Sequence, residues 1–128
     1  MDVDGTICPI KQAHEDYAEL VPRAEIVERM RQYRDEGFYI ILNSSRNMNS
    51  HDGNMGLITA RTAKTLLAWL DRNDIPYDEL HLGKPWAGHG GFYVDDRAIR
   101  PDEFLALSYE QVLETIDRLR AGTDATGP

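Results

Sequence analysis

The chain has 128 residues, 41% hydrophobic and 28% charged, with a formal net charge of −8, which suits one globular domain around a single core. The acidic balance argues against a polyanionic partner such as nucleic acid, because a phosphate backbone attracts basic surfaces. No apolar run approaches the roughly 20 residues that span a bilayer, no basic-then-apolar leader opens the chain, and the single cysteine, Cys8, cannot form an internal disulfide; a cytoplasmic protein with no membrane role is expected.

Taken in order, the chain opens on Asp2-Val3-Asp4-Gly5-Thr6, two carboxylates two residues apart followed by a glycine and a hydroxyl. Pro22 to Glu36 reads as a helix with Ile26, Val27, Met30 and Tyr33 on one face, stopped at Gly37. Phe38 to Leu42 is apolar at every position, as in a strand buried on both faces of a parallel sheet, and leads into Asn43-Ser44-Ser45-Arg46. A polar loop follows from Arg46 to Ile58. Thr59 to Asn73 reads as a second helix with Ala63, Leu66, Leu67 and Leu70 inward. Leu80 and Leu82 alternate in a short strand that runs into Gly83-Lys84-Pro85. Phe92 to Val94 is a further short strand ending in Asp95-Asp96. Ser108-Tyr109-Glu110-Gln111 is a capping box that opens a third helix, with Val112, Leu113, Ile116 and Leu119 facing the core. Residues 1–121 form the predicted domain and 122–128 a frayed tail.

Alternating strands and helices predict an α/β fold, an open parallel sheet with right-handed crossovers and the active edge at the carboxyl ends of its strands. Asp2, Ser44, Lys84 and Asp95 each follow a predicted strand, so the four are expected to converge there. Paired acids, a hydroxyl and a lysine in that order suit magnesium-dependent phosphoryl transfer through an aspartate. A calcium loop fails on spacing, because an EF-hand counted from Asp2 puts Ile7 at the glycine position and Ala13 at the bidentate glutamate position. His14, His51, His81 and His89 have no zinc-ligand spacing with Cys8. The hydroxyl is Ser44 or Ser45, whose faces exchange on a one-residue slip. Trp86 reads equally as a stacking platform or as packing, and Arg97 and Arg100 as braces or rim.

In these motifs, and in Ser45-Arg46-Asn47-Met48, Gly83-Lys84-Pro85-Trp86 and Phe92-Tyr93-Val94-Asp95-Asp96-Arg97, the chain resembles the haloacid dehalogenase (HAD) superfamily of phosphohydrolases. The narrower likeness is to small capsular-polysaccharide biosynthesis phosphatases. The resemblance runs from Asp2 to about Leu119. It implies a Rossmann-like core of three α/β/α layers and Mg2+ held by Asp2, Asp4 (through its backbone carbonyl), Asp95 and Asp96, with Asp95 the direct carboxylate. It implies Asp2 as nucleophile and Asp4 as general acid and base, a role that would need neighbouring negative charge and partial burial. Ser44 donates to the phosphoryl group, chosen over Ser45 because the family hydroxyl lies two residues before an arginine like Arg46. Lys84 neutralises the phosphoryl oxygens. Gly5 and Thr6 shape the phosphate loop, and Arg46 and Asn47 read the substrate.

HAD enzymes often carry a cap domain. The stretch from Thr6 to Pro22 has room for a flap only, and none exists between Leu82 and Lys84, so a capless enzyme is expected. Capless relatives use a neighbouring subunit as lid or act on large substrates, which points to a homo-oligomer. The expected substrate is a small phosphorylated metabolite, a sugar or polyol phosphate; the rivals are a nucleotide or nucleic-acid-end phosphatase and a catalytically idle HAD-like binding module. The strand that should precede Asp2 has only Met1 here, which points to upstream residues beyond this chain.

Overall fold

The computed structural model describes residues 1–126, with side chains described through Arg118. The chain divides into two compact units, Met1–Trp86 and Ala87 onward. In the first unit, a 3-10 turn at Tyr17–Glu19 precedes α1 (Ala24–Asp35), β1 (Ile41–Ser44), α2 (Met55–Leu57), a π-helical turn (Ile58–Thr62), α3 (Ala63–Arg72) and β2 (Glu79–Leu82). In the second, α4 (Pro101–Ala106) is followed by α5 (Tyr109–Thr126). This is a mixed α/β protein whose sheet is β1 and β2 in parallel, Ile41 opposite Glu79 and Ser44 opposite Leu82.

A further segment lies on the other edge of β1. The Met1 nitrogen donates to Ile41 O at 2.6 Å, and the Asn43 amide donates to Met1 O at 2.8 Å. That pattern is a parallel ladder, so Met1–Val3 takes the place of the first strand. The spatial order is then Met1–Val3, β1, β2. Both crossovers step the same way across the sheet, and right-handedness sends α1 and α3 to the same face. The core follows: Val3, Ile7, Ile26, Met30, Leu42, Ile58, Leu66, Trp69 and Leu70 are all essentially fully buried. Along β1 burial alternates, with Leu42 and Ser44 inside and Ile41 and Asn43 outside.

Several boundaries differ from the sequence reading. Pairing begins at Ile41 rather than Phe38, and Tyr39 is exposed with its hydroxyl donating to Glu79 Oε2 at 2.7 Å. The second helix buries Leu66, Trp69 and Leu70, while Leu67 is exposed. Phe92–Val94 forms no strand. Helix α4 went unread; α5 opens on the predicted capping box, with the Gln111 amide donating to Ser108 Oγ and the Ser108 amide to Gln111 Oε1. It continues past Gly122, where the tail was expected, to Thr126. The Leu119 side chain and residues 127–128 lie outside the described residues.

Asp78 ties α1 to the start of both strands. Its Oδ2 accepts from the Ile40 amide at 2.7 Å and its Oδ1 from Arg34 Nη2 at 2.6 Å. The Ile40 amide first, then the guanidinium, holds this carboxyl below its ordinary value against an opposing desolvation cost. A carboxyl lowered on folding stabilises the fold above its unfolded pKa, and that contribution fades as pH falls through the folded value. Asp78→Asn is therefore expected to lower the urea midpoint at neutral pH and to narrow the gap to wild type in acid. A gap that stays constant down to the acid transition would contradict this role.

Candidate active site

The carboxyl edge of the sheet gathers residues from three segments. Just after the Met1–Val3 segment, the amides of Thr6, Ile7 and Cys8 all point at Val3 O, and the Gly5 amide reaches Cys8 O at 2.7 Å. This tight loop needs a left-handed residue, and Gly5 supplies it at φ 88° without a Cβ penalty. The loop turns Asp2 and Asp4 toward the same edge. Thr6 Oγ1 donates to Asp2 Oδ2 at 2.9 Å, so Thr6 orders the nucleophile candidate directly.

Lys84 arrives from the end of β2. Its amide donates to Ser44 O at 3.1 Å, which extends the β1–β2 ladder past Leu82. Its Nζ lies 3.6 Å from Asp2 Oδ1, with both side chains partly shielded from solvent. Gly83 is left-handed at φ 82°, and a Cβ there would come within 2.7 Å of Met55 Sδ. The glycine before Lys84 is thus required by the backbone, since the end of the exposed Met55 side chain could move aside.

Asp4 has the strongest partner. Arg46 Nε donates to its Oδ2 at 3.0 Å and Nη2 to its Oδ1 at 2.9 Å, a bidentate fork. The Arg46 guanidinium also lies 4.2 Å from the centroid of the Tyr17 ring, close enough for cation–π attraction. Its side chain is only 1% exposed. Arg46 Nη1 is buried with no hydrogen-bond partner among the described residues. An unmatched buried donor costs on the order of 1–3 kcal/mol, and such groups concentrate where function demands them. Ser44 is buried too, and its Oγ accepts from the Arg46 amide at 3.1 Å. Its hydroxyl proton remains available to an acceptor at the edge.

Asp2, Asp4, Thr6, Ser44, Arg46 and Lys84 therefore stand together in the first unit; Asp95, expected to converge with Asp2, Ser44 and Lys84, belongs to the second. Arg46, and Tyr17 beside it, play parts that the sequence reading missed. Arg46 was read as a loop residue facing substrate and instead clamps Asp4. Tyr17, which had drawn no attention, braces that arginine; it sits in a stretch with no periodicity, so nothing in the sequence marked it. Arg46 and Asn47 also line a cavity of about 200 Å3 with Tyr17, His51, Arg61 and Thr62. Within it Thr62 Oγ1 donates to Asn47 Oδ1 at 2.7 Å. Thr62 belongs to the π-helical turn, and single π turns are frequent at functional sites. Asn47 is held at φ 63°.

Cys8 is fully buried beneath Asp4, Sγ to Oδ1 3.5 Å. Burial first, and then the Asp4 carboxylate, pushes its thiol up to about 12. Cys8 is expected to react with an aromatic disulfide at least about tenfold more slowly in native protein than after denaturation. Equal rates would show that this loop opens readily.

Asp95 and Asp96 belong to the second unit and are exposed. The Arg97 amide donates to Asp95 Oδ1 at 2.8 Å. Among the described residues no three imidazole, thiol or carboxylate groups are gathered as a metal site would require. The oxygens of the first unit nevertheless suit a hard cation. Asp2 accepts from Thr6 and faces Lys84, and a carboxylate has about four acceptor sites, so lone pairs remain. Magnesium is commonly held by one or two carboxylates together with substrate phosphate and water.

Fold and site define a small α/β protein with a carboxylate–cation cluster at the carboxyl edge of a parallel sheet. No protein-family model and no curated protein matches the chain. Among solved structures it is similar to a structural-genomics target from Vibrio cholerae, with 40% identity over 92% of this chain and 94% of that one and a TM-score of 0.87. The chain belongs to the same family as that protein. No helix among the described residues is long and apolar enough to cross a membrane.

Proposed function

We propose that this protein is a HAD-type, magnesium-dependent phosphatase with a capless Rossmann-like core, acting on a small phosphomonoester through an aspartyl-phosphate on Asp2. The observation that carries the reading is the cluster itself: a carboxylate positioned by Thr6 and Lys84, beside a second carboxylate two residues on. Asp2 attacks phosphorus, which divides one hard displacement into two easier ones. Lys84 draws charge from the phosphoryl oxygens, and Ser44 donates its hydroxyl proton to one of them. Asp2, the Asp4 carbonyl and Asp95, with Asp96 beside it, would hold the magnesium, which when bound neutralises phosphoryl charge.

Asp4 hands a proton to the leaving oxygen and later takes one from water. Both of its oxygens are engaged by Arg46, so that work requires the fork to loosen at one oxygen. Arg46 then keeps the carboxylate aimed while Nε or Nη2 releases it. The cavity lined by Arg46, Asn47 and His51 offers hydrogen-bonding groups to a polyhydroxylated leaving group, which favours a sugar or polyol phosphate. Phosphate release from sugar, polyol and nucleotide monophosphates, with and without magnesium, tests the reading. Magnesium-dependent release is expected, strongest on sugar or polyol esters. A folded protein inert on every ester would favour the idle binding module.

A further inference from the structure

Phe92 and Val94 are 82% and 89% exposed, although the tripeptide Phe92-Tyr93-Val94 has the β-branched and aromatic composition of a buried strand. It ends in the acidic pair Asp95-Asp96. For that pair to reach the carboxyl edge beside Asp2, the segment must join the sheet parallel to β1. Parallel neighbours need a crossover of a dozen or more residues. β2 ends at Leu82, so residues 83–91 alone precede Phe92. Gly83 and Lys84 are already spent at the site, because the Lys84 amide is bonded to Ser44 O at the carboxyl edge. The seven that remain, 85–91, include a turn at 88–90, and Gly91 is folded so closely onto Ala87 that a Cβ would collide with its carbonyl oxygen. A chain this short and this compact falls well below the length of a parallel crossover.

We infer that Phe92–Asp96 of one copy adds to the sheet of a second copy, so that each site draws Asp2, Asp4 and Lys84 from one chain and Asp95-Asp96 from its partner. The position beside Asp2 is the outer edge of the Met1–Val3 segment, opposite the edge that β1 occupies. Edge addition gives Phe92 and Val94 a strand to pack beside and covers them. Reciprocal exchange closes as a two-fold dimer. The inference rests on the phosphatase reading for the role of the acidic pair, but the assembly it describes can be tested without activity.

Two measurements decide it. Sedimentation of the wild-type chain should show a dimer or a multiple of one, and Phe92→Asp with Val94→Asp should sediment as a folded monomer by circular dichroism. A monomeric wild type, or a double variant that is folded and still a dimer, would overturn the exchange whatever the activity. The second measurement mixes Asp2→Asn with the Asp95→Asn/Asp96→Asn double variant by co-refolding. Each is inactive alone, and random pairing should restore roughly one quarter of wild-type phosphate release, because half the dimers carry one intact site. Active wild type with no restoration on mixing would overturn the exchange and leave the phosphatase reading standing. A wild-type dimer that depends on Phe92 and Val94 but releases no phosphate would uphold the exchange and refute the phosphatase reading.

Discussion

Asp2→Asn is expected to lower magnesium-dependent phosphate release by at least about 10³-fold while the protein stays folded. The amide keeps the shape of the carboxylate and can still accept from Thr6 Oγ1, which lies 2.9 Å from Oδ2. It loses the negative charge that, on the proposed mechanism, attacks phosphorus and that faces Lys84 at 3.6 Å. That pair is partly exposed and longer than a hydrogen bond, so its loss should cost well under about 1 kcal/mol of stability. The variant thus separates chemistry from folding. Steady-state release and a urea titration on the same preparation check both halves.

Arg46→Ala should carry the largest stability cost at the site. The guanidinium is almost fully buried and makes two charge-assisted bonds to Asp4, whose side chain is 22% exposed. Breaking a buried pair by removing one partner costs about 3–5 kcal/mol, and the partial solvent access of Asp4 places the expectation near the low end. Two further losses act in the same direction: the face of Tyr17 loses its cation, and a void opens where the side chain packed. Arg46→Lys should recover little, because an ammonium cannot reproduce the fork. Activity should fall alongside stability, since Asp4 loses the group that aims it. The check is the urea midpoint of Arg46→Ala beside that of Arg46→Lys. Midpoints equal to wild type would show that the clamp is incidental.

Much of this was legible in the residues themselves. Ile26, Val27 and Met30 mark the buried face of α1 at helical spacing, and Ser108 and Gln111 mark the start of α5 by a local exchange of hydrogen bonds. The convergence of Asp2, Ser44 and Lys84 followed from topology, because each trails a parallel strand. What failed depended on tertiary context. Phe38 to Leu42 was read as buried on both faces, yet Tyr39 and Ile41 are exposed; an apolar run reports β-propensity, not which face another element covers. Trp69 was missed as a core residue because Leu67 completed an equally good heptad. The indole is instead buried and fixed by donating to Leu20 O at 2.7 Å, a partner 49 residues away. The Asp4–Arg46 fork spans 42 residues, and no local pattern announces it. Phe92–Val94 carries a strand's composition but forms no strand.

The central claim is that phosphoryl passes through Asp2. Rapid acid quench of the turning-over protein, followed by peptide mass spectrometry, tests it most directly. One phosphoryl group on the amino-terminal peptide at Asp2, formed with substrate and magnesium and absent from Asp2→Asn, is the predicted result. Phosphate release that proceeds at full rate with Asp2 unmodified, or that persists in Asp2→Asn, would contradict it.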